Sequence, residues 1–543
     1  MAKYDAFPYQ KEAIEAVKDL EYAAIFHEQG LGKTKIAIDL ILYWLKNTSI
    51  DTVLVVTTKQ LVSNWIREFT SFVPSILDVN KKNNYHVFCG PSRVVVTNFE
   101  LLISEKERFK LYLNTRNVAV IIDESAKLKN PKTKLTQSYF ELAPLFKKRV
   151  IMTGTPVANR PYDIWAQIYF LDQGKSLGKD FESFKHETDL SNKLAQNEDL
   201  QISFEDSVSE IYKKIQNFSV RETKNSGIIH LPDKVFISET TEFTPEQEYL
   251  YNQVCEELAV DVVKDGVEII DDSSAIVKRL LRLVQVTSNP RLVDESYQGL
   301  SAKEILLNNV IDNVNQAGEK CIVWSNFIDN IDYFAQKYEE FGTAKIHGKM
   351  SMEDRNRSVD FFRTKDCKIL FATPASAKEG LTLTMANHVI FYDRGFSLDD
   401  YLQAQDRIHR ISQTKTCYVH NLMINGSIDE WVDVLLRAKQ NAAFLAQGDM
   451  SIEEYRNIAD YSFGDMIKAN RGHYIMGKRI IGKNEYEVEE RIMFQQEILF
   501  WTENPRVYSV LRENGNDNPS QSEIEALMKT TENVKELKVQ IEQ

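Results

Sequence analysis

Eight residues, His27-Glu-Gln-Gly-Leu-Gly-Lys-Thr34, have the types and spacing to cradle a phosphate. Gly30 and Gly32 let successive backbone N–H groups turn toward one anion, and the N-terminus of a following helix adds partial positive charge. Lys33 would then hold the β- and γ-phosphates of ATP and the Thr34 hydroxyl a Mg2+ ion, with Glu28, Gln29 and Leu31 completing the ATP-binding loop. The strict form of this pattern has glycine at position 27, where this chain has His27. An adjacent acid pair, Asp123-Glu124, suits hydrolysis of a phosphoanhydride. Asp123 would hold Mg2+ through water, and Glu124 would orient or deprotonate the attacking water. In Gln403-Ala-Gln-Asp-Arg-Ile-His-Arg410, a helix would place Gln403, Arg407 and Arg410 on one face. Paired guanidiniums there can neutralise charge spreading over the γ-phosphoryl oxygens. The candidate catalytic set is therefore Lys33, Asp123, Glu124, Arg407 and Arg410.

These residues need elements that bring them to one place. Ala23-Ala-Ile-Phe26 is a short apolar run before the loop, and Lys35 to Trp44 after it has helical apolar spacing. Four more apolar runs, Thr52–Val56, Arg93–Thr97, Val118–Ile122 and Arg149–Thr153, are separated by stretches long enough for helices. That predicts a parallel sheet covered on both faces, with ligands beyond the carboxyl ends of its strands. Asp123-Glu124 follows the third run. Thr153, Gly154 and Thr155 follow the fourth and form a polar turn able to couple to the same γ-phosphate. A second set of runs, Lys320–Ser325, Ala344–His347, Lys368–Thr373, His388–Asp393 and Cys417–Leu422, predicts a second sheet of the same kind without a second phosphate loop. The predicted fold class is α/β, two tandem doubly wound parallel-sheet lobes. With Lys33 on one lobe and Arg410 on the other, the site is complete only when the cleft closes on ATP.

At 543 residues, 43% hydrophobic and 27% charged, the chain reads as two to four soluble globular domains. No eighteen-residue apolar run or secretory leader is present, which predicts a cytoplasmic protein with no membrane partner. Five scattered cysteines form no Cys-x-x-Cys pair, which argues against zinc and against a disulfide framework. A net charge of −13 repels polyphosphates as a whole, so nucleic-acid binding would have to come from local donors. Strand-end residues Thr57, Asn98, Ser325, Asn326 and Thr373 are candidates for backbone-phosphate contacts without base reading. Lys127, Lys129, Lys132 and Lys134 form a basic run just after the acid pair, whereas Trp65 shares helical spacing with Leu61 and Phe69 and reads as core. A glutamine at Gln10, one helix before the loop, could read the adenine edge with its amide.

In order along the chain, Gln10, the Gly30–Thr34 loop, Asp123-Glu-Ser-Ala126 and Thr153-Gly-Thr-Pro156 resemble successive motifs of superfamily-two helicases. Leu61-Val-Ser-Asn-Trp-Ile-Arg-Glu-Phe69, Lys127-Leu-Lys-Asn130 and Thr153-Gly-Thr-Pro-Val-Ala-Asn159 narrow the resemblance to the SWI/SNF-related branch of ATP-dependent DNA translocases. It covers roughly residues 5 to 437. The resemblance implies RecA-like lobes, ATP and Mg2+, double-stranded DNA as partner, and tracking along the duplex without strand separation. It also implies that Arg407 and Arg410 act as arginine fingers, that Gln403 belongs to the ATP site, and that Gly380 lies in the motif linking DNA contact to ATP. Ala126, Lys378-Glu379, Gly395-Phe396 and Ser412 depart from the family spelling.

Expected boundaries are 1–236 for the ATP-binding lobe with a helical protrusion over about 172–218, 237–440 for the second lobe with a bridge over about 244–293, and 441–543 for a mostly helical appendage. The appendage is a candidate protein-docking region, and its basic island Lys478, Arg479 and Lys483 a candidate duplex contact. Two other readings fit the same motifs. One is a strand-separating helicase; the other is an ATP-switched binding module acting on a polymerase or defence complex.

Overall fold

The computed structural model describes residues 5–59, 61–72, 77–78, 93–226, 231–264, 273–379, 383–410 and 412–462. Among the described residues two compact units emerge, one within 5–239, 307–422 and 433–460 and the other within 240–306, 423–432 and 461–462. Both sheets lie almost wholly in the first unit.

The first sheet contains β1 (Tyr22–Ile25), β2 (Thr52–Thr57), β3 (Leu77–Asp78), β4 (Val94–Asn98), β5 (Val118–Asp123), β6 (Lys148–Met152) and β7 (Ser219–Val220). Their order is β3-β4-β2-β5-β6-β1-β7, with every pairing parallel. All residues of β2, β4 and β5 are buried. That is why these segments read as unbroken Val and Ile runs rather than as an alternation. The helix Lys33–Asn47 covers one face: Ile36, Ile41 and Trp44 share a core with Val53, Val55, Ile121 and Val150.

The second sheet contains β8 (Lys234–Thr241), β9 (Cys321–Trp324), β10 (Thr343–Ile346), β11 (Ile369–Ala372), β12 (His388–Phe391) and β13 (Cys417–Ile424), in the order β10-β11-β9-β12-β13-β8. Trp324, Leu370, Phe391, Ala404 and Ile408 belong to its core. The apolar runs expected as strands are strands to within two residues at each end. Three strands were not expected: β3, β7 and β8. All three are edge strands, and β8 alternates half-buried with exposed positions, so no apolar run marks it.

One local expectation is corrected. The helix carrying Gln403 is Leu398–Gln405, capped by the Ser397 side chain, and Arg407 and Arg410 lie in turns beyond it. Past the helix the carbonyls find other partners: Arg407 N shifts to the Ala404 carbonyl at 3.4 Å, and Leu383 N donates to the Arg407 carbonyl at 3.0 Å. Gln403, Arg407 and Arg410 are therefore gathered by the chain turning on itself, not by one helix face.

Within 172–218 the helices Phe181–Thr188 and Glu198–Ile215 start at capping Asp180 and Asn197. The helix Ile452–Ile458 begins with the Ser451/Glu454 capping box, and its Arg456 pairs with Glu205 at 2.8 Å. In the second unit, Pro245–Lys264 and Ser273–Ser288 are helices. The fully buried Lys303 ammonium pairs there with Asp429 at 2.7 Å, and the Gln247 amide joins the Val286 carbonyl to Ala302 N. Gly380 and the island Lys478, Arg479 and Lys483 lie outside the described residues, as does all of the appendage beyond Ser462. Among the described residues no helix is long and apolar enough to cross a membrane.

Candidate functional site

The loop after β1 holds Gly30 and Gly32 at φ 87° and 72°, the left-handed region, and Gly32 caps the helix Lys33–Asn47. A Cβ at position 32 would fall 2.5 Å from Gln10 Nε2, and one at position 30 would touch Arg410 Cγ at 3.4 Å. Gln10 does not present its amide outward. Its Nε2 donates to the Leu31 carbonyl at 3.2 Å and its Oε1 accepts from Phe7 N at 3.0 Å, so it braces the loop. The Tyr9 hydroxyl donates to the same Leu31 carbonyl at 2.9 Å. Lys33 Nζ donates to the carbonyls of His27 and Glu28 at 2.9 and 3.3 Å. Burial pulls the Lys33 ammonium below its ordinary pKa, against the opposing pull of Glu124 and Asp123. His27, in the place of the usual glycine, is buried, and burial together with Lys33 pushes its imidazole down to about 4, which leaves it neutral. Gln29 packs so tightly on the turn after β6 that a Cβ on Gly154 would lie 2.5 Å from its Cγ. Gly32→Ala is expected to lower stability by about 1–2 kcal/mol through its backbone alone, read as a lower urea midpoint. An unchanged midpoint would contradict this account of the loop.

The acid pair sits at the carboxyl end of β5. Asp123 Oδ2 accepts from Trp65 Nε1 at 2.8 Å and from the Thr57 hydroxyl at 3.4 Å, and its Oδ1 accepts from Glu124 N at 3.0 Å. Glu124 adopts φ 56° and ψ 47°, a left-handed conformation costing a non-glycine residue about 1–3 kcal/mol. The surrounding packing holds it there. Burial, then the neighbouring Asp123 and Asp399, push the Glu124 carboxyl up to about 7, against Lys33 and Arg407. Ser125 donates to Gln167 Oε1 at 2.8 Å, and the Gln167 amide donates to the carbonyls of Pro156 and Asp163. Gln167 thus ties the acid turn to the Thr153–Pro156 turn, in which Thr155 N donates to the Thr153 hydroxyl at 3.2 Å.

From the segment after β12, a polar chain reaches the same place. Asp399 Oδ1 accepts from the Thr155 hydroxyl and from Gln403 Nε2, each at 2.8 Å, and Arg407 Nη2 donates to Gln403 Oε1 at 3.4 Å. Arg410 Nε donates to the Asp406 carbonyl at 3.1 Å. Burial and Arg410 pull the Arg407 guanidinium down to about 9, with Glu124 opposing, so it stays cationic at neutral pH. Lys33, Asp123, Glu124, Thr155, Gln403, Arg407 and Arg410 are thereby brought together.

Sequence reasoning missed three participants: Trp65, Gln167 and Asp399. Trp65 is core, as its spacing with Phe69 indicated, but its indole N–H is also spent on Asp123. The spacing of Asp399 and Gln403, four residues apart on a helix, was the available signal for their bond.

The residues expected to contact backbone phosphate have internal partners in this structure. Thr57, Ser325 and Thr373 are buried, and their hydroxyls donate to Asp123, to Asp393 at 2.5 Å and to Ser376. Asn326 is bonded to Asp393 through its backbone and side chain, and the Asn98 side chain caps Phe99–Ser104. Strand ends in this sheet type are crowded with backbone groups needing partners, and these side chains supply them. Lys129 is half-buried, Lys127 and Lys134 are exposed, and Lys132 pairs with Glu182 at 2.6 Å.

A family model described as SNF2-related domain matches residues 9–292, and one described as helicase conserved C-terminal domain matches residues 302–412. An uncharacterized ATP-dependent helicase of Mycoplasma genitalium is 26% identical over 455 residues, 80% of this chain and 41% of that protein. The mouse SWI/SNF-related matrix-associated actin-dependent regulator of chromatin subfamily A member 1 is 26% identical over 477 residues, 82% of this chain and 44% of that protein. The chain thus spans less than half the length of these two relatives. Among solved structures, the Sulfolobus solfataricus SWI2/SNF2 ATPase core in complex with dsDNA is 26% identical and covers 84% of this chain and 98% of its own, with a TM-score of 0.39. Since the SNF2-related model alone accounts for more than half of the 543 residues, the chain belongs to the SNF2-related family.

Proposed function

We propose that this protein hydrolyses ATP and uses the cycle to move along double-stranded DNA without separating its strands. The observation that carries the reading is the approach of Arg407 and Arg410, from the second sheet, to the Lys33 loop and the Asp123-Glu124 pair of the first. Triphosphate is the substrate this set of groups suits. Lys33 exchanges its two loop carbonyls for phosphate oxygens, Glu124 takes a proton from the attacking water, and the arginines share the charge that develops on the transferred group. Among the described residues no group of three or more His, Cys, Asp or Glu is placed to hold a metal. Mg2+ takes one or two protein ligands plus substrate phosphates, and Thr34 and Asp123 are the residues that would hold it. When bound, the ion neutralises phosphate charge. The orientation of Asp123 for that task is fixed by Trp65 and Thr57.

Thr155 and Asp399 link the turn after β6 to the helix bearing Gln403, so opening and closing of the two sheets about ATP would make and break the Thr155–Asp399 bond. If each sheet grips the same duplex, alternation of that kind advances the protein along it. Beside the strand-end residues, backbone N–H groups and the exposed Lys127 and Lys134 are candidate phosphate donors. The reading is supported by the mouse relative's name as a regulator of chromatin.

Two experiments test it. In a triplex-displacement assay the chain should release the third strand in an ATP-dependent way while leaving a forked duplex paired. Release of the forked strand would favour a helicase, and no ATP-dependent displacement of either kind would favour a nucleotide-switched binding module. Turnover should also depend on pH. The Glu124 carboxyl, pushed up to about 7, is protonated and idle below that pH, so kcat should fall roughly tenfold per unit on the acid side and level off above it. A flat acid limb would contradict Glu124 as the base.

A further inference from the structure

On the crossover between the sheets, residues 219–226 and 231–241 are described and lend an edge strand to each sheet, β7 beside β1 and β8 beside β13. Lys224 follows β7 and Lys234 opens β8. Their ammonium groups converge on one oxygen, Asp406 Oδ1, at 2.9 and 3.2 Å. Lys224 and Asp406 are buried. On the other side of Lys224 stands the phosphate loop: Lys224 N donates to Glu28 Oε2 at 2.8 Å, and its Nζ is 3.8 Å from Glu28 Oε1. A third tie comes from His409, whose Nε2–H donates to the Pro232 carbonyl at 2.9 Å. Burial by itself would raise the Asp406 carboxyl, but Lys224 and Lys234 more than offset it and hold it below the usual carboxylate range.

What these ties secure is the stretch Asp406–Arg410. Asp406 N still donates to the Leu402 carbonyl at 3.1 Å, but beyond it the regular helical ladder has ended, and Arg410 Nε hangs from the Asp406 carbonyl. A charge-stabilising group must be held to within about 0.5 Å of its working position, and a 1 Å misplacement can cost about a hundredfold in rate.

We propose that the crossover segment is a positioning strap: Lys224 and Lys234 grip Asp406, Asp406 holds Arg410 over the phosphate loop, and Glu28 anchors the strap to that loop. This rests on the reading of the site as an ATPase with Arg410 acting on the phosphoryl group. None of the three strap residues needs to touch ATP. Their loss should therefore lower kcat and leave KM nearly unchanged.

The test is DNA-saturated ATP turnover by the full chain. Asp406→Asn and Lys224→Met should each lower kcat about ten- to a hundredfold with KM for ATP within about threefold, and Lys224→Arg should restore most of the rate. Should Asp406→Asn fail to fold, Lys234→Met, at the more exposed of the two lysines, should show the same split. In an Arg410→Ala background, Asp406→Asn should cost less than about twofold more, because the residue it positions is gone. A slow Arg410→Ala beside a strap variant with wild-type kcat would overturn the strap and leave the site reading standing. Losses that multiply in the double variant would overturn it too, and a fast Arg410→Ala would remove the strap together with the arginine reading.

Discussion

Replacing Arg407 by alanine is expected to slow ATP turnover about 10³- to 10⁵-fold, the range over which such residues act in phosphoryl transfer. The side chain is buried and cationic, donates to Gln403 Oε1, and faces Glu124 across the sheets' approach. In that enclosed position a positive charge acts through a low local dielectric and meets growing negative charge without waiting for solvent to reorganise. Arg407→Lys should recover only part of the loss, because a compact ammonium cannot reach Gln403 and the phosphoryl group with the same planar fork. The measurement is kcat with duplex present, beside a melting curve to establish that the variant is folded. A loss below about tenfold in a folded variant would show that Arg407 is not part of the reacting site.

Glu124→Gln should lower kcat by about 10²- to 10⁴-fold while leaving KM for ATP close to its original value. The amide keeps the size and the backbone geometry but cannot accept a proton from water. It should also abolish the acid limb of the pH profile, since the group that titrates near 7 is gone. Glu124→Gly offers a second readout. Glycine adopts φ 56° without strain, so relief of about 1–3 kcal/mol should exceed the smaller entropic cost of glycine, and the variant should melt higher while being as inactive as Glu124→Gln. Stability spent to aim a carboxylate is a mark of a working site. Equal turnover by Glu124→Gln and the parent would remove the general-base assignment.

What could be read from the sequence was whatever leaves a local imprint. Central strands such as β2 and β5 are buried on both faces, so they print as apolar runs; the phosphate loop prints as glycines with a Lys-Thr ending. The edge strands β7 and β8 carry half-solvated residues and leave no such run. Arg407 and Arg410 were identified as a pair, but they lie beyond the helix, where the Arg407 carbonyl is met by Leu383, which is distant in sequence. The Trp65–Asp123 and Lys224–Asp406 contacts join residues 58 and 182 positions apart, and no local pattern encodes them. The strand-end hydroxyls failed in the opposite way. Thr57 and Ser325 look like free donors in the sequence, and only the fold shows the buried carboxylates that they serve. Nothing local to Lys224 or Lys234 announces the Asp406 carboxylate that stands between them.

The central claim is that a DNA-responsive ATPase site is assembled from both sheets, and the most direct measurement is ATP turnover by the intact chain alone and with duplex DNA, single-stranded DNA or RNA. Duplex is predicted to raise kcat at least about tenfold, with Arg410→Ala abolishing the response. Turnover that is the same under all four conditions, or a duplex response that survives Arg410→Ala, would contradict the account.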